Sequence, residues 1–171
     1  MNRSRAALAL VLSALLLVMT AAPSQAAAVT RADRRGDAPA AIDITRYHVN
    51  NGRSRIDYTL SVRDLGARGS FTVGFDSASL YYDGAGVQVT RRNGRLTSTY
   101  LHFTEDFTTR APCAGIRARW DTRRDVVAVS IPQHCYSDRW NPIPRGWHIG
   151  VSGQLGSRFD YTSSHVYVRR G

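Results

Sequence analysis

Several things are missing from this 171-residue chain, and each absence narrows its chemistry. There is no lysine: all 23 basic residues are arginine, so no lysine nucleophile, Schiff base or P-loop lysine is available. There is one glutamate, Glu105, against 12 aspartates, which excludes a hydrolase built on paired glutamates and leaves an aspartate pair open. The five histidines, at 48, 102, 134, 148 and 165, include no i, i+4 pair and no HExxH, so the usual helical zinc signature is missing. Gly150-Val151-Ser152-Gly153 lacks the glycine two residues after serine that a nucleophile elbow needs. No stretch after residue 18 is apolar for long enough to span a bilayer, and none keeps helical periodicity for three turns. No internal repeat or linker divides the chain. These absences point to a domain without enzymatic activity.

What is present begins with an export pattern. Asn2-Arg3-Ser4-Arg5 precedes an apolar run over residues 6–18, followed by small residues through Ala28. This is the arrangement of a secretory signal peptide over residues 1–28, with cleavage after Ala26 or Ala28. The expected product is a secreted, extracellular protein with a mobile lead-in over residues 29–40 and one domain over 41–171. Removing Arg3 and Arg5 with the signal leaves 21 arginines against 13 acids, or +8. That charge favours an anionic surface such as a cell-wall polymer or other extracellular polyanion or polysaccharide. The arginines are dispersed, however, and no motif for specific nucleic-acid recognition accompanies them.

The only two cysteines, Cys113 and Cys135, bracket two β-type runs at 116–120 and 126–131. In an oxidising compartment an isolated pair reads as a disulfide. Alternation places Ile116, Ala118 and Trp120 on one stripe and Val127, Val129 and Ile131 on another. Both stripes face one core only if Trp120 lies opposite Val127 and Ala118 opposite Val129. The turn is then residues 122–125, and Arg123-Arg124 suits a four-residue loop better than a primed two-residue turn. The cysteines fall one residue out of that register. An irregularity is therefore expected at the base of the hairpin, near Gly115 or Pro132.

The remainder reads as short strands separated by turns. Residues 41–50 alternate at Ile42 and Ile44 and then change phase at Tyr47 and Val49, which suggests a bulge. Residues 55–63 alternate cleanly, and Asn50-Asn51-Gly52 joins the two runs. Phe71, Val73 and Phe75 mark a third strand, and Gly84-Ala85-Gly86 ends a short fourth. Asn93-Gly94 is a hairpin signal between 87–91 and 96–103. Residues 105–112 read as a loop, 147–155 as a strand with its glycines and serine outward, and 159–161 and 166–169 as final strands. About nine or ten strands, with turns roughly every ten residues, make an all-β, single antiparallel β-sandwich of jelly-roll-like type.

Two candidate sites stand out. Asp33, Arg34, Arg35, Gly36 and Asp37 precede Asp43, which lies between two isoleucines. Oxygen-rich acidic clusters of this kind suit Ca²⁺, although these acids also read as solvated turn positions with Asp43 outward. An Asp-rich, Gly-Asp-containing lead-in to an Asp-Ile strand resembles the opening of DOMON-like and family 9 carbohydrate-binding β-sandwiches. It is also similar to small secreted proteins of high-GC bacteria. The resemblance implies a structural calcium at Asp33, Asp37 and Asp43 and a carbohydrate-binding module; Arg34 and Arg35 between the acids depart from the pattern. The second site is aromatic: Trp120, Trp140, Trp147, Tyr81, Tyr82 and Tyr161 offer rings on which sugars stack, with Trp120 and Trp147 assigned to the core. Trp140 and one of Tyr81 and Tyr82 are the exposed candidates. A third reading is a small protein-binding or inhibitor module presenting the loop at 137–144.

Overall fold

The computed structural model describes residues 27–76, 84–103, 108–137, 146–162 and 166–171. Two antiparallel sheets face each other across one apolar core. Sheet A contains β1 (Ala27–Ala32), β2 (Ile44–Asn51), β3 (Arg55–Val62), β8 (Arg117–Asp121) and β9 (Val126–Pro132), in the order β1-β2-β3-β9-β8. Sheet B contains β4 (Gly69–Asp76), β5 (Gly84–Arg92), β6 (Arg95–Phe103), β7 (Thr108–Ala111), β10 (Gly146–Leu155), β11 (Arg158–Tyr161) and β12 (Val166–Arg169). Its order is β11-β10-β4-β5-β6-β7, and β12 shares with β11 the same edge of β10. One helical turn, α1 (His134–Ser137), follows β9.

The expected alternation operates in both sheets. Ile56, Tyr58, Leu60 and Val62 of β3, Val127, Val129 and Ile131 of β9, and Phe71, Val73, Val87, Val89, Ile149 and Val151 of sheet B are buried. Burying a side chain of this kind stabilises by roughly 1.5–3 kcal/mol. Trp120 joins this core, tilted against Phe71 at 5.2 Å between ring centroids, with its indole N–H donating to the Gly66 carbonyl at 2.8 Å. The phase change in β2 is a register shift between Ile44 and Arg46 that bulges Thr45. Asn93 and Gly94 both have positive φ, at 52° and 76°, which a primed two-residue turn needs between Arg92 and Arg95.

The cysteine hairpin has the register demanded by its apolar stripes. Ala118 pairs with Val129, Trp120 with Val127 and Asp121 with Val126, enclosing the four-residue turn 122–125. Asp121 Oδ1 accepts the Arg123 and Arg124 N–H groups, while the Asp125 carbonyl and carboxylate accept Val62 N–H and Leu65 N–H. The turn is therefore docked onto the β3–β4 connection. At the base, the pairing ends at Arg117 and Ser130. The irregularity is a turn at Ala114-Gly115 rather than a bulge, with Gly115 at φ 83°, where a side chain would be strained. This turn moves Cys113 off the ladder to meet Cys135, with 5.5 Å between the Cα atoms. Arg55 holds it there by donating to the Gly115 carbonyl at 2.8 Å.

Four sequence expectations about the strands are corrected. Residues 27–32, which overlap the expected mobile lead-in, form strand β1 along β2, and Asp33 N–H donates to the Thr45 carbonyl at 3.0 Å. Residues 108–111, read as loop, form edge strand β7 on β6. Both are edge strands with no fully buried position, so neither shows the apolar alternation that marks a strand in sequence. Gly84-Ala85-Gly86, read as a strand end, lie inside β5, paired with β4 and β6. Among the β10 glycines, Gly150 faces outward as expected, but Gly153 is buried on the inward side. A Cβ there would sit 2.7 Å from the Ile42 carbonyl oxygen and 3.0 Å from Phe71.

Two stability outcomes follow. Gly153→Ala is expected to cost ~1–3 kcal/mol or more, read from the urea midpoint, because backbone must move to admit the methyl group. Replacing both cysteines with serine is expected to cost less than the roughly 3 kcal/mol of the chain-entropy model, because the hairpin already holds the ends together. A larger loss in the same urea assay would show that the Cys113 loop depends on the bond for its conformation.

Candidate functional site

The first candidate site forms where the chain enters the sandwich. The lead-in turns at Gly36 and returns through Ile42 and Asp43, whose N–H groups both donate to the Pro39 carbonyl. Asp43 is fully buried, contrary to the outward position read from sequence. Its backbone lies beside the end of β3, where Arg63 N–H donates to the Asp43 carbonyl. Asp43 Oδ2 accepts Gly36 N–H at 2.8 Å and meets Arg63 Nε at 3.1 Å; Oδ1 has no partner. Asp33 likewise has a buried Oδ2 without a partner.

Asp160, which the sequence reading did not single out, completes the group. It lies on the inward face of β11 opposite Gly153, and its Oδ2 accepts Ile44 N–H at 2.5 Å across the two sheets. Asp37, Asp43 and Asp160 each place a carboxylate oxygen within 4.8 Å of the other two. Arg34 and Arg35, which interrupt the acids in sequence, are exposed. This all-oxygen donor set, with orphaned buried oxygens, fits a hard divalent cation. Among the described residues, the other cluster with metal-ligand chemistry is Cys113, His134 and Cys135, whose sulfurs are bonded to each other.

The second candidate site is the outward face of sheet B. Among the described residues the exposed large hydrophobics are Phe159 at 46%, Tyr161 at 68% and Tyr167 at 45%, and all three stand on this face. Phe159 lies opposite Gln154, Tyr161 opposite Ser152 and Tyr167 opposite His148. The Phe159 and Tyr161 rings stack, with centroids 5.7 Å apart and planes inclined by 13°; His148 and Tyr167 are tilted at 5.4 Å. Gln154 and His148 are six positions apart on β10, so the row extends over ~20 Å. Beyond Gln154, a groove of about 710 Å³ is lined by Ser70, Gln88 and Gln154 with Arg68, Arg91 and Arg92. None of these three arginines has a carboxylate partner among the described residues.

Trp140, Tyr81 and Tyr82, the rings favoured from sequence, lie outside the described residues, as does most of the 137–144 loop. Of the aromatic set named from sequence, Tyr161 is on the row and Trp120 is in the core. Phe159, Tyr167 and the groove arginines were not identified as one surface. Their signal was present: Phe159 and Tyr161 flank Asp160, and Tyr167 lies between Val166 and Val168, which puts the rings on the face opposite the buried residues.

The acid cluster generates a pH prediction. Burial pushes the Asp160 carboxyl up to about 6 from 3.8; the Ile44 N–H opposes the rise, while Asp37, Asp33 and Asp43 add to it. The folded state therefore holds this proton where the unfolded chain has released it. The contribution is complete below pH ~4 and is lost as pH rises through about 6. The loss is at most about 3 kcal/mol. With chelator present, urea unfolding from pH 4 to 7 is expected to show this decline in the wild type and a flatter profile in Asp160→Asn. Equal slopes would contradict it.

Comparison with protein-family models, with curated proteins and with solved structures finds no match for the chain.

Proposed function

We propose that the chain is an exported, non-catalytic β-sandwich module that binds an extended acidic polysaccharide on the outward face of sheet B. One observation carries this reading: the exposed large hydrophobics of the described residues are three aromatic rings in a row on one sheet face, beside an arginine-lined groove. An aromatic ring presents a negative π-face that suits the C–H side of a sugar ring. Serine, threonine and glutamine beside it exchange hydrogen bonds with hydroxyl groups, and rigid strands hold the rings at fixed spacing. Arg68, Arg91 and Arg92 match carboxylate or sulfate groups through bidentate geometry. The mature charge of +8 draws such a polymer to the surface.

Export is supported by the composition of residues 1–28 and by the Cys113–Cys135 bond. No helix among the described residues is long and apolar enough to cross a membrane. Of the two cleavage positions, the one after Ala26 leaves β1 whole, whereas the one after Ala28 removes two residues that pair with Asn51 and Asn50.

Affinity electrophoresis through gels containing a polyuronate, a sulfated glycan or a neutral glucan tests the reading. Retardation is expected in the acidic gels and should weaken as salt rises above ~0.1 M, where the Debye length falls below about 10 Å. Joint replacement of Tyr161 and Tyr167 by alanine is expected to weaken binding at least ten-fold, at about 1 kcal/mol per ring. Joint replacement of Arg91 and Arg92 should remove the preference for acidic over neutral polymer. Equal mobility in every gel, or no effect of the tyrosine changes, would refute the proposal. Mass spectrometry of the exported protein is expected to find Ala27 at its N-terminus.

A further inference from the structure

We infer that Asp37, Asp43 and Asp160, with the Asp33 carboxylate nearby, form a calcium site that joins the N-terminal lead-in to both sheets. None of these four residues belongs to the glycan-binding face. A calcium ion takes six to eight oxygens at 2.3–2.6 Å, so oxygens within about 4.8 Å of one another are able to share one ion. Asp37, Asp43 and Asp160 meet that spacing. They come from three places in the chain: the lead-in turn, the entry to β2, and β11 at the far edge of β10.

Clustered acids alone do not make a site. The second observation is the fate of their oxygens. Asp43 has 0% exposure, and while its Oδ2 is satisfied by Gly36 N–H and the Arg63 guanidinium, its Oδ1 has no hydrogen-bond partner. Asp33 keeps a second buried oxygen without a partner, and Asp160, 4% exposed, has one oxygen committed to Ile44 N–H. Arg63 is the single cation ion-paired to the group among the described residues, against four carboxylates. Buried carboxylate oxygens without donors or counter-charge are costly, and a divalent ion supplies both the charge and the coordination they lack.

The donor atoms also select the ion. There is no sulfur or imidazole in the group, which disfavours zinc and copper. The oxygens are carried by a turn, a bulged strand entry and a short edge strand, which suits the irregular geometry that calcium accepts better than the strict octahedron of magnesium. The exposed Asp37 marks the side from which an ion would enter. Bound there, it would fix residues 33–43 against β11 and so hold β1 in its place on β2.

The test uses the full secreted chain, stripped of metal, at pH 7. Calorimetric titration with calcium chloride is expected to show one ion bound per chain, with the melting temperature rising on calcium addition and falling again with EGTA. Asp37→Asn, at an exposed position that leaves the core untouched, and Asp160→Asn should each weaken calcium binding at least ten-fold. Asp64→Asn, an exposed acid outside the group, and the Tyr161→Ala, Tyr167→Ala pair should leave calcium binding unchanged. Hydrogen exchange at Gly36 and Ile44 N–H is expected to slow on calcium addition. Absence of binding at millimolar calcium, or binding undiminished in both Asp37→Asn and Asp160→Asn, would overturn the site. Glycan binding lost without any change in calcium binding, or the reverse, separates the two proposals.

Discussion

The hydrogen bond from Ile44 N–H to Asp160 Oδ2 is the constraint on which the arrangement of this sandwich depends. It joins the entry of sheet A to the last edge of sheet B across 116 residues, inside the core, through a carboxylate rather than through apolar contact. The geometry behind it is specific. Ile44 is where the β2–β3 register slips, so Thr45 is bulged and the ladder is interrupted at this point. Gly153, opposite Asp160 on β10, has no side chain, so the Ile42 backbone passes directly over it. A bulge on one sheet and a missing side chain on the other thus leave the space that a short acidic side chain bridges. Any larger residue at 153 closes it.

Strand β10 carries this constraint into both candidate sites. It is hydrogen-bonded to β4 along one edge and to β11 and β12 along the other. Side chains alternate strictly along it, so Ile149, Val151 and Gly153 face the core while His148, Ser152 and Gln154 face outward. Each short partner inherits the same division. On β11, Asp160 points in to the acid cluster and Phe159 and Tyr161 point out; on β12, Val166 and Val168 point in and Tyr167 points out. A slip of one residue in the β10–β11 pairing would bury two aromatic rings and expose the aspartate. The acid cluster and the aromatic row are therefore opposite faces of one register, and the bond that secures Asp160 also orients the rings.

The legible part of this fold was the part governed by alternation. The Trp120–Val127 pairing, the four-residue turn, the β2 bulge and the Asn93-Gly94 hairpin follow from local periodicity and turn chemistry, and the core agrees with them. The mismatch of the cysteines was legible as an irregularity but not as a turn, because the interaction that shapes it comes from Arg55, 60 residues away. Edge strands β1 and β7 escape a reading by alternation for a physical reason: only Ala27, Val29 and Ala111 pack against the core, each partly buried, so neither strand carries a full apolar stripe. Alternation from Ile42 and Ile44 places Asp43 outward, and the rule fails because Ile42 and Asp43 lie in a turn closed on the Pro39 carbonyl, ahead of β2. Asp160 was invisible as a partner because nothing local to β11 indicates what its inward face meets.

The two ends of β3 show how the molecule divides its work between covalent and electrostatic restraint. At the first end Arg55 binds Ser130 and the Gly115 carbonyl, next to the disulfide; at the other, Arg63 meets Asp43 at the acid cluster. Apolar burial holds the middle of the strand, where Ile56, Tyr58 and Leu60 are fully or almost fully enclosed. At the ends the chain leaves the ladder, and backbone groups lose their regular partners, so side chains must supply them, as Arg55 does for the Gly115 carbonyl. The disulfide restrains the β8–β9 end covalently. The acid cluster restrains the Arg63 end with charges whose mutual repulsion one arginine only partly offsets. That asymmetry makes the entry of the N-terminal segment the end whose restraint depends on ionised groups, while the other end is fixed by a bond.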